Sequence, residues 1–234
     1  MLFGFSKKIK VILFVLLLLI TVGAGNNIAK SINTNVAKLP KELETQHKFL
    51  KWINRWKERF PQIGADSFKA VDDGEIFSST NPRFTYEAFN QERVAQEVKT
   101  ADELDSKYIV IAPDKLQFVD FRRYFLETKE ASSSYVYYYG KRQNDTTIFG
   151  PLFECKRTNC WFDRVFFENP DLAYIPEVRE KIYAEEPDRC LLKKICSYEL
   201  YLHEFDFKKN KRTSYVSDQL LTDFEKIQKT LEDY

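Results

Sequence analysis

Apolar and polar positions follow three rhythms along the chain, and each predicts a different kind of element. The first is an unbroken apolar run, "VILFVLLLLITVGAG", from Val11 to Gly25, preceded by Lys7, Lys8 and Lys10. A charge-free run behind a basic start predicts a membrane-directed segment whose lysines stay in the cytoplasm, which places the rest of the chain outside. Two fates fit these residues. Val22, Gly23 and Ala24 suit cleavage after Ala24 and secretion. The uncharged interval Val11 to Ala29 approaches the roughly 20 residues that span a bilayer, and the apolar Leu2, Phe3 and Phe5 favour an uncleaved anchor. We assign residues 1–25 to the anchor or signal peptide, 26–38 to a polar linker and 39–234 to a single extracytoplasmic domain.

The second rhythm is helical. Phe49, Trp52, Ile53, Trp56 and Phe60 recur at three- and four-residue steps, predicting a helix that begins near Pro40 and ends at Pro61. Its other side carries Lys48, Lys51, Arg55, Lys57 and Arg59, so the helix either packs its stripe on the domain or lies on anionic headgroups. Weaker helical spacing covers Tyr86 to Val98 through Phe89, Val94 and Val98. A short helix is predicted from Pro176, and a last one follows Ser217 as N-cap, with Leu220, Phe224, Ile227 and Leu231 on one face. Asp72 to Gly74 and Thr80 to Pro82 read as turns.

The third rhythm is strand-like. It predicts strands over 107–112, 116–121, 135–142, 146–155, 160–167 and 197–207, with Gln143 to Asp145 as a hairpin loop. The sum is an α+β domain, a mostly antiparallel sheet flanked by N-terminal and C-terminal amphipathic helices, after an N-terminal membrane segment.

Composition narrows the function classes. Of 234 residues, 44% are hydrophobic and 30% charged, which is the balance of a chain that folds. A net charge of +1 gives no field for polyanions, so a nucleic acid partner is not expected. Seven glycines, where ordinary usage of ~7% gives about 16, leave little material for phosphate-cradling loops. No GxGxxG or P-loop spacing occurs, and no cofactor is expected. His47 and His203 stand in no triad or metal-spaced cluster. The run Lys208 to Arg212 reads as a solvated turn, and Asn144-Asp145-Thr146 is a formal glycosylation sequon on a loop.

The stretch "FECKRTNCWFDRVFF", Phe153 to Phe167, raises the question of what its cysteines do. Cys155, Cys160, Cys190 and Cys196 are even in number in a domain placed outside the cytoplasm, so they are expected to form disulfides. Their four-residue interval stands at the edge of zinc-site spacing and the five-residue one beyond it, and no metal is expected. Local pairing is preferred, with crossed pairing between the two clusters as the alternative. A Cys155–Cys160 bond stapling a hairpin would contribute about 2 kcal/mol. In that register Phe153 opposes Phe162, and Phe149, Phe153, Phe162 and Phe166 share a buried face with the cystine.

The same register sets Glu154 and Asp163 diagonally on the wetter face beside Trp161. Two such carboxylates are the equipment for glycosidic cleavage, or else ordinary charges on a solvent face. Tyr135, Tyr137 and Tyr139 alternate onto one face, a candidate binding platform to which Trp161 could add.

The expected function is a membrane-anchored or exported extracytoplasmic protein-binding module, such as an envelope assembly component or an immunity-type protein, whose partner is another protein. The alternatives are a carboxylate-dependent hydrolase acting on glycan or peptide, and a structural membrane-surface domain resting on the Trp52 and Trp56 helix.

Overall fold

The apolar stripe of the first helix packs as its spacing predicts. In the computed structural model, which describes residues 37–77, 83–104, 106–127, 132–142, 146–155, 159–181 and 195–232, α1 spans His47–Arg59. Phe49, Trp52, Ile53 and Trp56 are buried, each contributing about 2 kcal/mol through the apolar surface it removes from water. With that stripe covered by protein, α1 has no free aromatic face to lay on headgroups.

The described elements belong to one compact unit, Lys38–Tyr234. The expected membrane segment, nearly all of the expected linker, the expected turn at Thr80 to Pro82 and hairpin loop at Gln143 to Asp145, and Cys190 lie outside the described residues. Among the described residues, no helix is long and apolar enough to cross a membrane.

Instead of one sheet the described residues form two, and every strand pairing within them is antiparallel. The first sheet runs β1 (Lys69–Glu75), β11 (Lys211–Val216), β10 (Cys196–Asp206), β9 (Leu172–Glu180) and β7 (Cys160–Phe162). In addition, β8 (Phe166–Asn169) pairs with β9, and β12 (Leu220–Thr222) pairs with β10.

Two expectations are corrected here. The Asp72 to Gly74 turn signal lies inside β1, where Asp73 faces Thr213 and Gly74 faces Arg212. The helix expected from Pro176 is the middle of β9, because pairing on both sides outweighs a helix-start signal. Pro176 is tolerated because its carbonyl, and hence the side of its missing N–H, faces Asp163 in the break between β7 and β8 (Asp163 N–H to Pro176 O, 2.9 Å).

The second sheet runs β2 (Thr85–Ala88), β6 (Thr146–Cys155), β5 (Ser132–Arg142), β4 (Gln117–Glu127) and β3 (Ile109–Ile111). The helix expected from Tyr86 begins later, as α2 (Gln91–Glu103), capped by Asn90 Oδ1 accepting from Arg93 N–H at 3.0 Å. Tyr86 itself belongs to β2, opposite Ile148.

The C-terminal helix is also shorter than its apolar spacing implies. It is α3 (Phe224–Glu232), with Asp223 accepting from Lys226 N–H at 2.7 Å as its cap. Ser217 instead accepts from Leu200 N–H at 3.0 Å, and Leu220 is drawn into β12.

The layers follow from the two main cores. One core joins Trp52 and Trp56 of α1 and Ile227 of α3 to Val178, Leu200 and Leu202 of the first sheet. The other joins Phe167, Ile175 and Phe205 of the first sheet to Val119, Val136, Tyr138 and Ile148 of the second. A smaller cluster sets Val94 and Val98 of α2 on Tyr139, across the outer face of the second sheet. The order is therefore α1 with α3, first sheet, second sheet, α2. The first sheet is covered on both faces, which is why β9 is buried almost without alternation.

The expected β6–β7 hairpin does not form, because β6 pairs within the second sheet and β7 within the first. Cys155 and Cys160 are bonded to each other, with Cα atoms 6.6 Å apart, so the disulfide ties one sheet to the other. Cys196 is disulfide-bonded as well.

Candidate binding site

The outer face of the second sheet carries a run of aromatic rings. Tyr135, Tyr137 and Tyr139 do share this face, as period-two alternation along β5 requires. Neighbouring strands extend it. Phe149 of β6 stacks on Tyr137 at 5.8 Å and 14°, and Phe118 of β4 stacks on Tyr139 at 5.4 Å and 20°. Tyr135 continues the row at 6.0 Å from Tyr137. Across this row α2 lies over only the Phe118 and Tyr139 end, so Phe149 remains 48% exposed.

Beside α2 the face deepens into a groove of about 230 Å³. Its floor is Phe118, Tyr139 and Phe149, its walls Thr85 and Glu87 of β2 and Arg93 and Glu97 of α2. Arg93 forms an ion pair with Glu87. The Tyr139 side chain is 7% exposed, and its hydroxyl has no hydrogen-bond partner among the described residues. Burial raises the pKa of this phenol and the nearby Glu97 carboxylate raises it further, so the hydroxyl stays protonated and polar inside an aromatic floor. A buried hydroxyl without a partner costs free energy that a bound group can recover.

Glu97, Arg93 and Phe149 were not legible as site residues, since two sit on a helix separated in sequence from the sheet they overhang. Phe149 carried one usable signal, the Gly150-Pro151 pair that follows it inside a strand. A β-carbon on Gly150 would lie 2.7 Å from the Arg83 carbonyl oxygen, so glycine is what lets β6 approach the start of β2.

The structure does not bring Glu154 and Asp163 together. Glu154 stays at the Tyr135 end of the outer face, where it pairs with Arg83 and accepts from Tyr135 Oη at 3.3 Å. Asp163 lies in the core under α1. Its Oδ2 accepts from Trp52 Nε1 at 2.9 Å and Trp56 Nε1 at 2.8 Å and forms an ion pair with Arg55. A carboxylate with three donors on one oxygen and 2% exposure is a structural anchor, and the second sheet's separate strand pairing holds the other acid elsewhere. The arrangement for glycosidic cleavage is therefore not assembled.

Trp161 is likewise remote from the tyrosines. It packs on Phe224 at 4.9 Å and lines a second groove of about 440 Å³ with Tyr108, Phe162 and Leu231.

Between the sheets lies a polar cluster that sequence reading missed. His203 Nε2 is 2.9 Å from Glu177 Oε2 and its Nδ1 is 2.8 Å from Ser214 Oγ, while Arg179 grips both oxygens of Glu177 at 2.9 and 3.1 Å. Ser214, His203 and Glu177 come from neighbouring strands, which period-two patterning cannot relate to one another. The order serine, histidine, acid resembles a nucleophilic relay, but the three are 4%, 2% and 0% exposed, and the Phe153 ring covers the imidazole at 4.1 Å. Burial lowers the His203 pKa. Burial would raise that of Glu177, but the hydrogen bonds and charges of His203 and Arg179 outweigh it and hold the carboxyl low. The consistent state is an ionised Glu177 accepting from neutral His203. The cystine sulfurs lie against this carboxylate, with the donor atoms of Cys155, Cys160 and Glu177 within 4.8 Å of one another, and both sulfurs are committed to their mutual bond.

No protein-family model matches the chain, and neither a curated protein nor a solved structure matches it.

Proposed function

We propose that this is a membrane-anchored or exported extracytoplasmic protein-binding module, and that it engages its protein partner through the outer face of the second sheet. The observation that carries the reading is the row Tyr135, Tyr137, Phe149, Tyr139, left partly open beside α2 and ending in a groove with an unpartnered buried hydroxyl. Rigid aromatic rings on a sheet offer large contact area with little side-chain entropy to lose on binding, and aromatics of this kind form the centres of protein interfaces. The disulfide and the clamp of Asp163 on α1 hold the two sheets and the helix layer in place behind that face. Extracytoplasmic placement is supported by the basic start and apolar run of the first 25 residues and by the cysteine pairing.

The test is a photo-crosslinking amino acid at position 149 of the full-length protein in native membranes, with position 57 on the exposed side of α1 as the comparison. The expected result is a light-dependent adduct to one protein from position 149 and none from position 57. Equal labelling from both, or none from position 149, would overturn the assignment of this face.

A further inference from the structure

We infer that the groove between β2 and α2 receives an arginine side chain of the partner protein; this rests on the reading of that face as the binding surface. The walls carry Glu87, Glu97 and Arg93, one negative charge in excess. Arg93 is held by Glu87, while Glu97 makes no hydrogen bond or ion pair among the described residues. Lys141, on the same sheet, lies over the Phe89 ring at 4.3 Å. An entering anion would meet an unneutralised carboxylate, and an entering cation would gain one.

The floor makes the same selection. Phe149 is 48% exposed and presents its ring beside Tyr139, and a guanidinium is attracted to an aromatic face while its plane stacks on it. The Tyr139 oxygen, buried and unpartnered, then accepts from a second guanidinium N–H while Glu97 accepts from the first. Lysine would satisfy the charge without the stacking. A saccharide would use the rings but would leave the excess charge unanswered.

The experiment titrates the full-length protein in detergent micelles with N-acetyl-arginine N-methylamide, its uncharged citrulline analogue and methyl N-acetylglucosaminide, read by calorimetry. The arginine probe is expected to bind saturably and about tenfold more tightly than the citrulline analogue, with Glu97→Gln and Phe149→Ala each weakening it about tenfold. Both positions are exposed, so unchanged thermal unfolding of these variants is expected alongside. Tyr139→Phe, which keeps the ring and removes only the unpartnered hydroxyl, is expected to weaken binding about fivefold. Equal binding of the two amino-acid probes, or an unchanged affinity in Glu97→Gln, would overturn the inference. Binding of the saccharide in their place would do so too, and would assign the groove to glycan. A crosslinked partner at position 149 without arginine binding defeats this inference alone. Arginine binding without a crosslinked partner defeats the wider reading and leaves standing only the groove's selectivity for a guanidinium.

Discussion

Phe149 and Phe153, four residues apart on β6, lie on opposite faces of the second sheet. Strict period-two alternation would put them together. They are separated because Tyr137 faces Pro151 while Val136 faces Phe153, which leaves Leu152 as an extra residue in the β6 ladder. Beyond this bulge the inward positions are Phe153 and Cys155, and the outward one is Glu154. The bulge thus both releases Phe149 to the binding face and aims Cys155 at the other sheet.

The two phenylalanines should respond differently to truncation. Phe149→Ala is expected to leave stability within about 0.5 kcal/mol, as for an exposed side chain. Phe153→Ala removes a ring lying 4.1 Å from His203 and 5.9 Å from Phe162, and is expected to cost about 2 kcal/mol. Urea unfolding of the two variants checks this; equal midpoints would mean the bulge is misplaced.

Asp163 is expected to be the costliest single carboxylate to remove. Asp163→Ala takes the shared acceptor from two indole N–H groups and the carboxylate from Arg55, which keeps its bond to the Thr230 carbonyl, a loss of about 3 kcal/mol. Adding Arg55→Met to Asp163→Leu should recover part of it, because the buried cation is gone too. It should stop about 1 kcal/mol short of wild type, since Trp52 and Trp56 still lack an acceptor. Denaturant midpoints of the single and double variants measure the difference, and full recovery would show that the indole bonds carry no weight.

The polar cluster between the sheets predicts a pH dependence. Burial depresses the folded-state pKa of His203 below its usual 6.5, so near and below that pH the unfolded chain binds a proton that the folded one does not. Its contribution is complete above about pH 6.5 and declines as pH falls below it. Glu177, also depressed, adds a loss of the same sign once pH falls below the ordinary carboxylate value of 4.5. Glu204 and Glu180, raised by burial, act in the opposite sense, so the diagnostic quantity is a difference between variants. His203→Gln keeps hydrogen-bonding groups at the position without titrating, and should flatten the fall in urea midpoint between pH 6.5 and 5.5. An unchanged slope would place the titrating group elsewhere.

Much of the architecture was written locally. The stripe Phe49, Trp52, Ile53, Trp56 sets a helix and its buried face by spacing alone, and the alternation of Tyr135, Tyr137 and Tyr139 sets their common face, because both depend only on the geometry of consecutive residues. Local signals misled where strand pairing competed with them, as at Pro176 and at Asp72 to Gly74. A ladder, on both sides of β9 and on one side of β1, supplies more hydrogen bonds than a helix start or a turn, and no window of sequence contains its partner strand.

The sequence by itself determined an α+β domain with a mostly antiparallel sheet content, an aromatic stripe at helical spacing and three tyrosines on one strand face, and it preferred a bond between Cys155 and Cys160 without deciding it. Tertiary structure alone decided that there are two sheets, that the disulfide crosses between them, that Glu154 and Asp163 part company, and that Glu97 and Arg93 overhang Phe149. The physical reason is the same in each case. Which face a side chain occupies past a bulge, and which strand lies beside it, depends on residues tens of positions away, and the chain must close on itself before those residues meet.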